Sequence, residues 1–477
     1  MINGADIHLL LPEIILGLAA IVVMLSIAVK RCHLFAHIFS LAAFALAFIS
    51  LFLIHVNGTQ VTDLFITDGY SRFFTGLIIA AAFFIAAISY PYFKTRDIHK
   101  EEYYILLILA TLGAVSMVIS NHFISFFLSL EVMSVSMYSL IAYLKNDSIG
   151  IEAGIKYLVM AAVSASILLF GFALIYAQTG QMELSKLQGT ISAAVAKDIL
   201  FIAGMALVIA GIGFKMALVP FHLWTPDIYG GAPAPVSAFV ATVSKGAAFA
   251  FLLRFFHDLN GSVHNSVWIA FAVIAIASML IGNLLALRQQ NIKRILAYSS
   301  IGHLGYLMVA LLAASVVGIK AAVFYLVTYF ISMLSAFGIV SYLSGKDNEL
   351  YDLDDYKGLF WQRPWLAALF TMVLLSLAGI PLTAGFMGKF YLLLSGIGSS
   401  LWILTIVLVV SSFVGLYYYL RVALMMFTHS ELPRQKFKGG SFVPASILLA
   451  LMFIFLLWIG IFPGTLLDII QHLIPAI

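Results

Sequence analysis

Long apolar runs separated by short polar segments follow one another along the whole chain. A run of about 18 or more apolar residues predicts a helix that crosses a membrane, because about 20 such residues span the hydrocarbon core of a bilayer. The pattern therefore predicts an all-α polytopic membrane protein with about 14 transmembrane helices. The predicted spans, numbered 1 to 14 in chain order, lie near residues 8–29, 34–56, 72–93, 103–120, 122–144, 153–177, 199–220, 232–256, 266–287, 292–313, 317–344, 365–395, 400–427 and 442–472.

The connections between these spans are short. The longest, at 178–198 and 345–364, have fewer than thirty residues, so we expect no extramembrane domain large enough for a nucleotide, a flavin or a haem. Span 1 carries Glu13 and has neither a basic segment before it nor a small-residue cleavage site after it. We therefore expect a retained helix rather than a cleaved signal peptide.

A weak internal repeat relates two parts of the chain. Residues 240–254 align with 407–421, and GIGFK at 211–215 and GFMGK at 385–389 both place a glycine four residues before an intramembrane lysine. These matches set spans 4–8 and 9–13 in register as two five-helix units. Because five is odd, the second unit must enter the membrane from the other side, which predicts an inverted repeat like those of ion-coupled transporters. The expected segments are an N-terminal three-helix part, the two repeats and a C-terminal helix, at 1–100, 101–258, 259–430 and 431–477.

Basic residues are unevenly divided between the loops. Loops after odd-numbered spans hold sixteen of the 25 Lys and Arg residues, and loops after even-numbered spans hold five. Basic loops stay in the cytoplasm, so both termini are expected on the non-cytoplasmic side. The other four basic residues lie inside predicted spans and are Lys156, Lys215, Lys245 and Lys389.

Composition narrows the possible functions. Hydrophobic residues make up 63% of the chain and charged residues 10%, with a net charge of +4, which excludes a soluble globular protein, a disordered chain and a nucleic-acid binder. The single cysteine, Cys32, excludes a disulfide framework, a Cys-ligated iron–sulfur cluster and a CxxC redox pair. We find no nucleotide-binding glycine motif, HExxH motif or haem-spaced histidine pair. The chain is thus predicted to hold no redox, cofactor or metal site of its own.

Four charged residues in the middle of predicted spans are the main candidates for function: Glu131, Lys215, Lys245 and Lys389. A lysine at the centre of a membrane helix costs about 2.5–3.5 kcal/mol on insertion scales, so it requires a partner or a task. The simplest interpretation is a buried structural ion pair, but one glutamate cannot neutralise three lysines. An ammonium without a full partner in an apolar site releases its proton more easily than in water, and a nearby carboxylate opposes that release. The set therefore predicts proton translocation.

Two of these lysines share their spans with helix breakers. Pro220 follows Lys215, and Pro381 precedes Lys389. Proline removes a backbone hydrogen bond, and in a bilayer the freed groups must be satisfied by protein or by a water-filled cavity. Spans 7 and 12 are thus predicted to be broken helices that bring water near a lysine. The alternative is a dry proline kink.

Three further residues are weaker candidates for a relay. Lys156 lies one turn into span 6, where it either joins the relay or extends to the aqueous surface. His222 follows the predicted break of span 7 and His303 lies in the middle of span 10. Each histidine either shuttles protons or is a hydrogen-bonded packing residue. Asp227 and Arg254 lie near span ends, where solvation or ion pairing accounts for them.

Three stretches carry a specific resemblance, namely PFHLWTPDIYGGAPAPVSAFVATVSK at 220–245, KRILAYSSIGHLGYLMVAL at 293–311 and AGIPLTAGFMGKFYL at 378–392. They resemble the antiporter-like membrane subunits of respiratory complex I, and among these most of all subunit N of bacterial NADH–quinone oxidoreductase, the counterpart of mitochondrial subunit 2. Subunit M typically has glutamate at the position of Lys389, and subunit L continues into a long lateral helix. The resemblance covers nearly the whole chain.

The resemblance implies a non-redox subunit of a proton-translocating NADH:quinone oxidoreductase, driven by quinone reduction elsewhere in the complex. By matching motif, Lys215 would be the proton-carrying lysine of span 7, and Glu131 on span 5 would modulate its proton affinity. Lys245 would be the bridging lysine of span 8 and Lys389 the exit-side lysine of span 12. The role of His303 is not fixed by the resemblance.

The resemblance also implies partners and a location. We expect other complex I membrane subunits, both antiporter-like and small, in a bacterial inner membrane, with no nucleic acid. NADH, flavin, iron–sulfur clusters and quinone are expected in partner subunits and none of them on this chain. The alternatives are a subunit of a multi-subunit sodium/proton antiporter or membrane-bound hydrogenase, a free-standing secondary transporter, and a structural scaffold. Sodium would require an oxygen-rich site, whereas the mid-span residues are mostly lysine, which favours protons.

Overall fold

The structure, a computed structural model, confirms an almost entirely helical membrane protein. Thirteen helices among the described residues are long and apolar enough to cross a membrane. With one further span made of two shorter helices, Pro364–Ala378 and Ala384–Gly398, they account for the fourteen predicted spans. The structure describes residues 4–53, 59–96, 98–192, 194–259, 265–345, 349–428 and 443–474.

The spans keep their predicted order and numbering. Their observed bounds, from span 1 to span 14, are Leu11–Val29, His33–Leu53, Gly69–Lys94, Glu101–Val118, Phe123–Ile141, Ser148–Thr179, Ile199–Met216 resumed as Trp224–Gly231, Ala234–His257, Asn265–Leu287, Ile292–Leu312, Val316–Leu343, Pro364–Ala378 resumed as Ala384–Gly398, Trp402–Phe427 and Val443–Ile461.

Short elements occupy the connections. A two-stranded antiparallel hairpin, Thr59–Val61 with Phe65–Thr67, joins spans 2 and 3. The connection after span 6 contains the helix Leu184–Thr190, and Pro463–Leu473 forms a separate helix after span 14, where one continuous span to residue 472 was predicted. Proline at the start of a helix lacks only an N–H that would have no partner there, so Pro463 favours this restart.

Several spans begin at residues suited to cap a helix. The Asp68 and Ser71 side chains form a reciprocal capping box at the start of span 3. The side chains of Asp147, Asp198, Asn291, Ser315 and Thr383 each accept a backbone N–H in the first turn of the helix that follows. These bonds satisfy N–H groups that have no partner within the helix.

Three basic residues counted with the loops after even-numbered spans lie in helices. They are Arg72, Arg254 and Lys320, in the terminal turns of spans 3, 8 and 11. The backbone continues as helix because terminal turns reach the polar edge of the membrane, where long basic side chains are tolerated. Other residues in the basic count lie outside the described residues: Lys346, Arg434, Lys436 and Lys438.

The centre of the molecule is formed by spans 8, 10 and 11. Span 8 is wholly buried within the chain, and spans 10 and 11 are almost as buried, whereas spans 1 and 14 lie at the periphery. Span 8 is not a regular α-helix, because Val240–Ser244 forms a π-helical segment directly before Lys245. Such segments frequently mark functional sites, and nothing in the apolar pattern predicted this one.

The two five-helix units pack in the same way. In each, the first helix contacts the second and the fifth, and the third contacts the fourth. The first two helices of each unit approach very closely at a glycine: a Cβ on Gly113 would lie 2.5 Å from the backbone N of Met133, and one on Gly282 would lie 2.7 Å from that of Gly302. An odd number of spans per unit makes the repeat inverted, as predicted.

Spans 7 and 12 are broken, as predicted. The first half of span 7 ends at Ala217 (φ 59°, ψ 42°) and that of span 12 at Gly379 (φ 85°, ψ 44°), both left-handed. Span 7 resumes at Trp224, so it continues beyond its predicted end at residue 220. The match of GIGFK with GFMGK is not a structural equivalence, because Lys215 precedes its break whereas Lys389 follows its break.

A buried ion pair ties spans 3, 8 and 10 together at one end. Glu349, from the connection between spans 11 and 12, pairs with Lys293, whose side chain is only 1% exposed. The other Glu349 oxygen accepts the Tyr92 hydroxyl at 2.6 Å and the Ala234 backbone N–H at 2.8 Å. Burial alone would raise the pKa of the Glu349 carboxyl, but the charge of Lys293 and these donors lower it below its ordinary value. We name this group the Glu349 clasp.

We predict that Glu349→Gln lowers the free energy of unfolding by about 3 kcal/mol at pH 7, because it leaves the Lys293 ammonium buried and unpaired. The clasp contributes its stability above the ordinary glutamate pKa of about 4.3, and loses it as the pH falls through the lower pKa of the folded state. The difference between the two proteins should therefore shrink in acid. Denaturant unfolding in detergent across pH measures it.

The matched control is Asp354→Asn. Asp354 pairs with Lys357 at 2.8 Å, but both side chains are 40% or more exposed, so the change should cost less than about 1 kcal/mol. Equal losses from the two variants would contradict the clasp.

Candidate functional site

Three of the predicted lysines lie deep inside the molecule. Lys215 is 3% exposed, Lys245 is 0% exposed and Lys389 is 7% exposed. Within the described part of the chain, no carboxylate oxygen lies within 4.0 Å of any of the three ammonium groups. Neutral oxygens and aromatic rings surround them instead.

Lys215 contacts spans 5 and 6. It lies near the end of the first half of span 7, two residues before the break begins at Ala217. Its Nζ donates to Ser134 Oγ at 2.9 Å and to Tyr157 Oη at 3.1 Å. The Ser134 hydroxyl in turn donates to the carbonyl of Leu130 at 2.7 Å. Lys215 thus donates to two hydroxyl groups on two different spans.

Glu131 does not form a direct ion pair with Lys215. It lies on span 5, three residues before Ser134, close enough to Lys215 for their charges to interact. One carboxylate oxygen of Glu131 is buried and makes no hydrogen bond among the described residues. The hydroxyl of Tyr138, two helical turns further along, is also buried and has no partner in good hydrogen-bond geometry there. Two neighbouring polar groups without partners mark a place where water is expected.

Lys245 lies directly after the π-helical segment of span 8. Its one hydrogen-bond partner among the described residues is Ser300 Oγ on span 10, at 2.7 Å. Its Nζ also lies 5.1 Å and 5.9 Å from the ring centres of Tyr229 and Trp224. Ser300 continues the chain to Tyr329 Oη at 2.7 Å.

His303 lies between Lys245 and Lys389. It is one turn beyond Ser300 on span 10, and the charges of both lysines reach its ring. Its Nε2 lies 3.0 Å from Tyr419 Oη, and its Nδ1 contacts the hydroxyl of Tyr325. Both ring nitrogens therefore have hydroxyl partners.

Lys389 is held against the break of its own span. Its Nζ donates to the backbone carbonyls of Leu377 and Ala378 at 3.0 and 2.8 Å, and to Ser412 Oγ at 2.8 Å. The two carbonyls end the first half of span 12, where the helix dipole is negative. Lys389 is thus the buried lysine with the most oxygen partners.

Comparison with known proteins identifies the family. The sequence signature described as "NADH:quinone oxidoreductase/Mrp antiporter, TM" matches residues 120–415. The chain belongs to this family. A chain of respiratory complex I from Thermus thermophilus with bound aureothin is 32% identical, with a TM-score of 0.83 and coverage of 96% of this chain and 98% of that one. The protein is an antiporter-like membrane subunit.

Two further structures share the fold of this antiporter-like subunit. A chain of the membrane-bound sulfane sulfur reductase, an archaeal respiratory membrane complex, is 23% identical, with a TM-score of 0.84 and coverage of 98% of this chain and 96% of that one. A chain of the Mrp complex from Dietzia sp. DQ12-45-1b is 20% identical, with a TM-score of 0.84 and coverage of 97% and 96%. At these identities the likeness concerns the fold alone.

Lys156 lies in an exposed ion cluster of the antiporter-like subunit. Its Nζ lies 2.7 Å from Glu152 and 3.1 Å from Asp227, and Asp227 also pairs with Arg294 at 2.9 Å. These side chains line a cavity of about 280 Å³ together with Ala153. Ala153 and Asp227 in its lining lie one helical turn from Tyr157 and Trp224, respectively. Tyr157 contacts Lys215 and Trp224 lies near Lys245.

His222 and Arg254, two further residues noted in the sequence, differ in whether their polar atoms have partners. His222 lies in the break of span 7, is buried, and neither of its ring nitrogens has a partner in good hydrogen-bond geometry among the described residues. Arg254 pairs with both oxygens of Asp68 at 2.7 and 2.8 Å, as expected for a charge at a span end. No group of three His, Cys, Asp or Glu side chains in the described ranges is placed to hold a metal.

Sequence reasoning missed the hydroxyl groups that join these charges. Of three consecutive tyrosines on span 13, Tyr417 is 65% exposed, whereas Tyr418 and Tyr419 are buried. Tyr419 contacts His303, and the Tyr418 hydroxyl donates to Asn283 at 3.0 Å. The spacing of these polar residues could have indicated the cluster. Ser300 and His303 are one helical turn apart on span 10, as are Tyr325 and Tyr329 on span 11, so each pair shares a helix face.

We predict that Ser300→Ala lowers the free energy of unfolding by about 2 kcal/mol, because a hydrogen bond to a buried ammonium is lost. The control is Ser335→Ala on span 11, whose buried hydroxyl bonds to the carbonyl of Ile331 in its own helix and to no other group in the described part of the chain. Denaturant unfolding in detergent compares them. Equal losses would show that Ser300 does not stabilise Lys245.

Proposed function

We propose that the chain is the proton-translocating membrane-arm subunit of an NADH–quinone oxidoreductase, the counterpart of bacterial subunit N. In this proposal Glu131, Lys215, Lys245 and Lys389 carry protons through the membrane. The observation that supports it most is that three buried ammonium groups have hydroxyl, carbonyl and aromatic neighbours but no carboxylate within 4.0 Å in the described chain. A structural role would favour close counter-ions, since an unpaired buried charge is costly.

The first part of the proposed path runs along spans 5, 6 and 7. Protons reach Lys215 through Ser134 or Tyr157, and Glu131 raises or lowers the affinity of Lys215 as the two charges approach or separate. The cavity at Lys156, Asp227 and Arg294 is a suitable entry, because its lining residue Ala153 is one helical turn from Tyr157 and it lies on the side of the basic loops. On this account the basic side is the cytoplasm and both termini face away from it.

The second part of the proposed path runs through the centre of the molecule. Between Lys215 and Lys245 lies the break of span 7, where the Trp224 ring lies 5.1 Å from that of Tyr157 and 5.9 Å from the Lys245 ammonium. Water in that break would complete the connection. From Lys245, Ser300 and Tyr329 lead towards His303, whose ring centre lies 5.6 Å from that of Tyr329.

The energy for this transport must come from other subunits. Moving one charge against 100 mV requires about 2.3 kcal/mol, and no redox motif was found in the sequence. We therefore infer partners that hold NADH, flavin, iron–sulfur clusters and quinone, together with neighbouring membrane subunits in a bacterial inner membrane. His303, flanked by two hydroxyls between two lysines, is our candidate for transfer to Lys389.

A sodium/proton antiporter subunit is the second candidate, because the Mrp chain shares the fold with a TM-score of 0.84. Sodium is preferentially bound by oxygen ligands, and carboxylates are the strongest of these in proteins. The three buried sites hold ammonium groups instead, which favours protons as the transported ion.

We predict that Lys215→Ala and Glu131→Ala each reduce proton pumping at least about tenfold, because each removes a group that transfers or modulates the proton. Assembly should be retained, since neither change breaks an ion pair within 4.0 Å. NADH-driven acidification of membrane vesicles measures pumping. The control is Lys186→Ala, an exposed lysine paired with Glu183. Pumping at the unmodified rate in both variants would refute the relay.

A change of cation separates the two candidates. Replacing sodium by potassium in the same vesicle assay should leave the pumping rate unchanged, because protons are the proposed transported ion. Strict dependence on sodium would instead support the antiporter candidate.

A further inference from the structure

The break of span 12 leaves two backbone carbonyls without a backbone partner. In a continuous helix the carbonyl of Leu377 would accept from residue 381, but Pro381 has no N–H. The Gly379 N–H turns back to Leu375 and Ser376, and the Ile380 N–H to Leu375. The carbonyls of Leu377 and Ala378 therefore point to the Lys389 ammonium, which they bind with Ser412 Oγ.

These three oxygens have the chemistry of a cation site. The last carbonyls of a helix carry the negative end of its dipole, and a serine hydroxyl adds a third neutral ligand. In broken-helix transporters, half-helix ends and unwound carbonyls coordinate alkali cations. At Lys389 the three N–H groups of the ammonium meet three acceptors.

The first half of span 7 ends in the same kind of backbone turn as that of span 12, but its lysine binds elsewhere. Its Phe214 carbonyl accepts the Trp224 indole N–H at 3.0 Å and the Ala217 N–H at 2.9 Å, and its Gly213 carbonyl accepts the Leu218 N–H at 2.8 Å. The Lys215 ammonium binds hydroxyls of other spans instead. An ammonium bound to the carbonyls of its own helix break is therefore seen at Lys389 and not at Lys215.

We propose that the carbonyls of Leu377 and Ala378 with the Ser412 hydroxyl form a binding site for a monovalent alkali cation, which the Lys389 ammonium fills and thereby closes. The Lys389 side chain lies directly over the turn, since a Cβ on Gly379 would be 2.9 Å from its Cδ and 3.2 Å from its Nζ. No room is left for a second cation while the ammonium is there. The proposal goes beyond proton transport, and its test does not depend on pumping.

Removing the side chain should open the site. For the purified full chain carrying Lys389→Ala, we expect the thermal midpoint to be about 2 °C higher in sodium or potassium chloride than in choline chloride of equal concentration, because the ion binds only the folded state. The unmodified chain should show no such difference. Equal midpoints of Lys389→Ala in all three salts would overturn the proposal.

Two control variants locate the effect. Lys389→Met fills the same space with an uncharged chain, so the salt difference should be absent. Lys245→Ala removes a buried lysine with one oxygen partner, and it should show none either. Adding Ser412→Ala to Lys389→Ala should abolish or reduce the difference. An equal salt response in Lys389→Met would mean that the ion binds elsewhere and would overturn the proposal.

A second variant keeps the test decisive if Lys389→Ala does not fold. Retention of radioactive sodium by purified chain carrying Lys389→Ser is then measured against the unmodified chain. About one retained ion per chain, displaced by excess unlabelled alkali chloride and absent from the unmodified chain, supports the site. Equal retention by the two proteins overturns it.

Discussion

The structure depends on how positive charge is kept inside an apolar bundle without carboxylates in direct ion-pair contact. An isolated ammonium in hydrocarbon is costly, and counter-ions are the usual remedy. Here the remedy is a set of neutral oxygens: two hydroxyls at Lys215, one at Lys245, and a hydroxyl with two carbonyls at Lys389. Such neighbours stabilise a charge without trapping it as a carboxylate would, which is what a group that gains and loses protons requires.

Departures from regular helix supply part of this environment. The break of span 12 provides the carbonyls for Lys389, and the Ala241 carbonyl in the π-helical segment of span 8 accepts the Tyr329 hydroxyl at 3.0 Å. Within the described ranges, ion pairs lie at the ends of the spans or in the connections, as in the Glu349 clasp and in Arg254 with Asp68. Irregular backbone thus lies beside two of the buried lysines, Lys245 and Lys389.

The helical spans and the mid-span charges could be predicted from the sequence, but the hydroxyl groups that lie between those charges could not. Spans follow from apolar length, and mid-span lysines are conspicuous because they are costly. Ser300 and Tyr329 are not conspicuous, since isolated hydroxyls are common in membrane helices and only the packing of spans 8, 10 and 11 brings them together. The Glu349 clasp was missed for the same reason: its members lie in four separate segments, and a loop glutamate looks solvated until the fold buries it.

The central claim is that the buried lysines lie on one hydrated path, and the most direct test is a cryo-EM map of the intact membrane assembly that resolves ordered water. The account predicts water at the free Glu131 oxygen and the Tyr138 hydroxyl, in the break of span 7 between Lys215 and Lys245, and from Lys389 to one membrane face. Lysines sealed in dry surroundings, each locked to its own counter-ion, would contradict it.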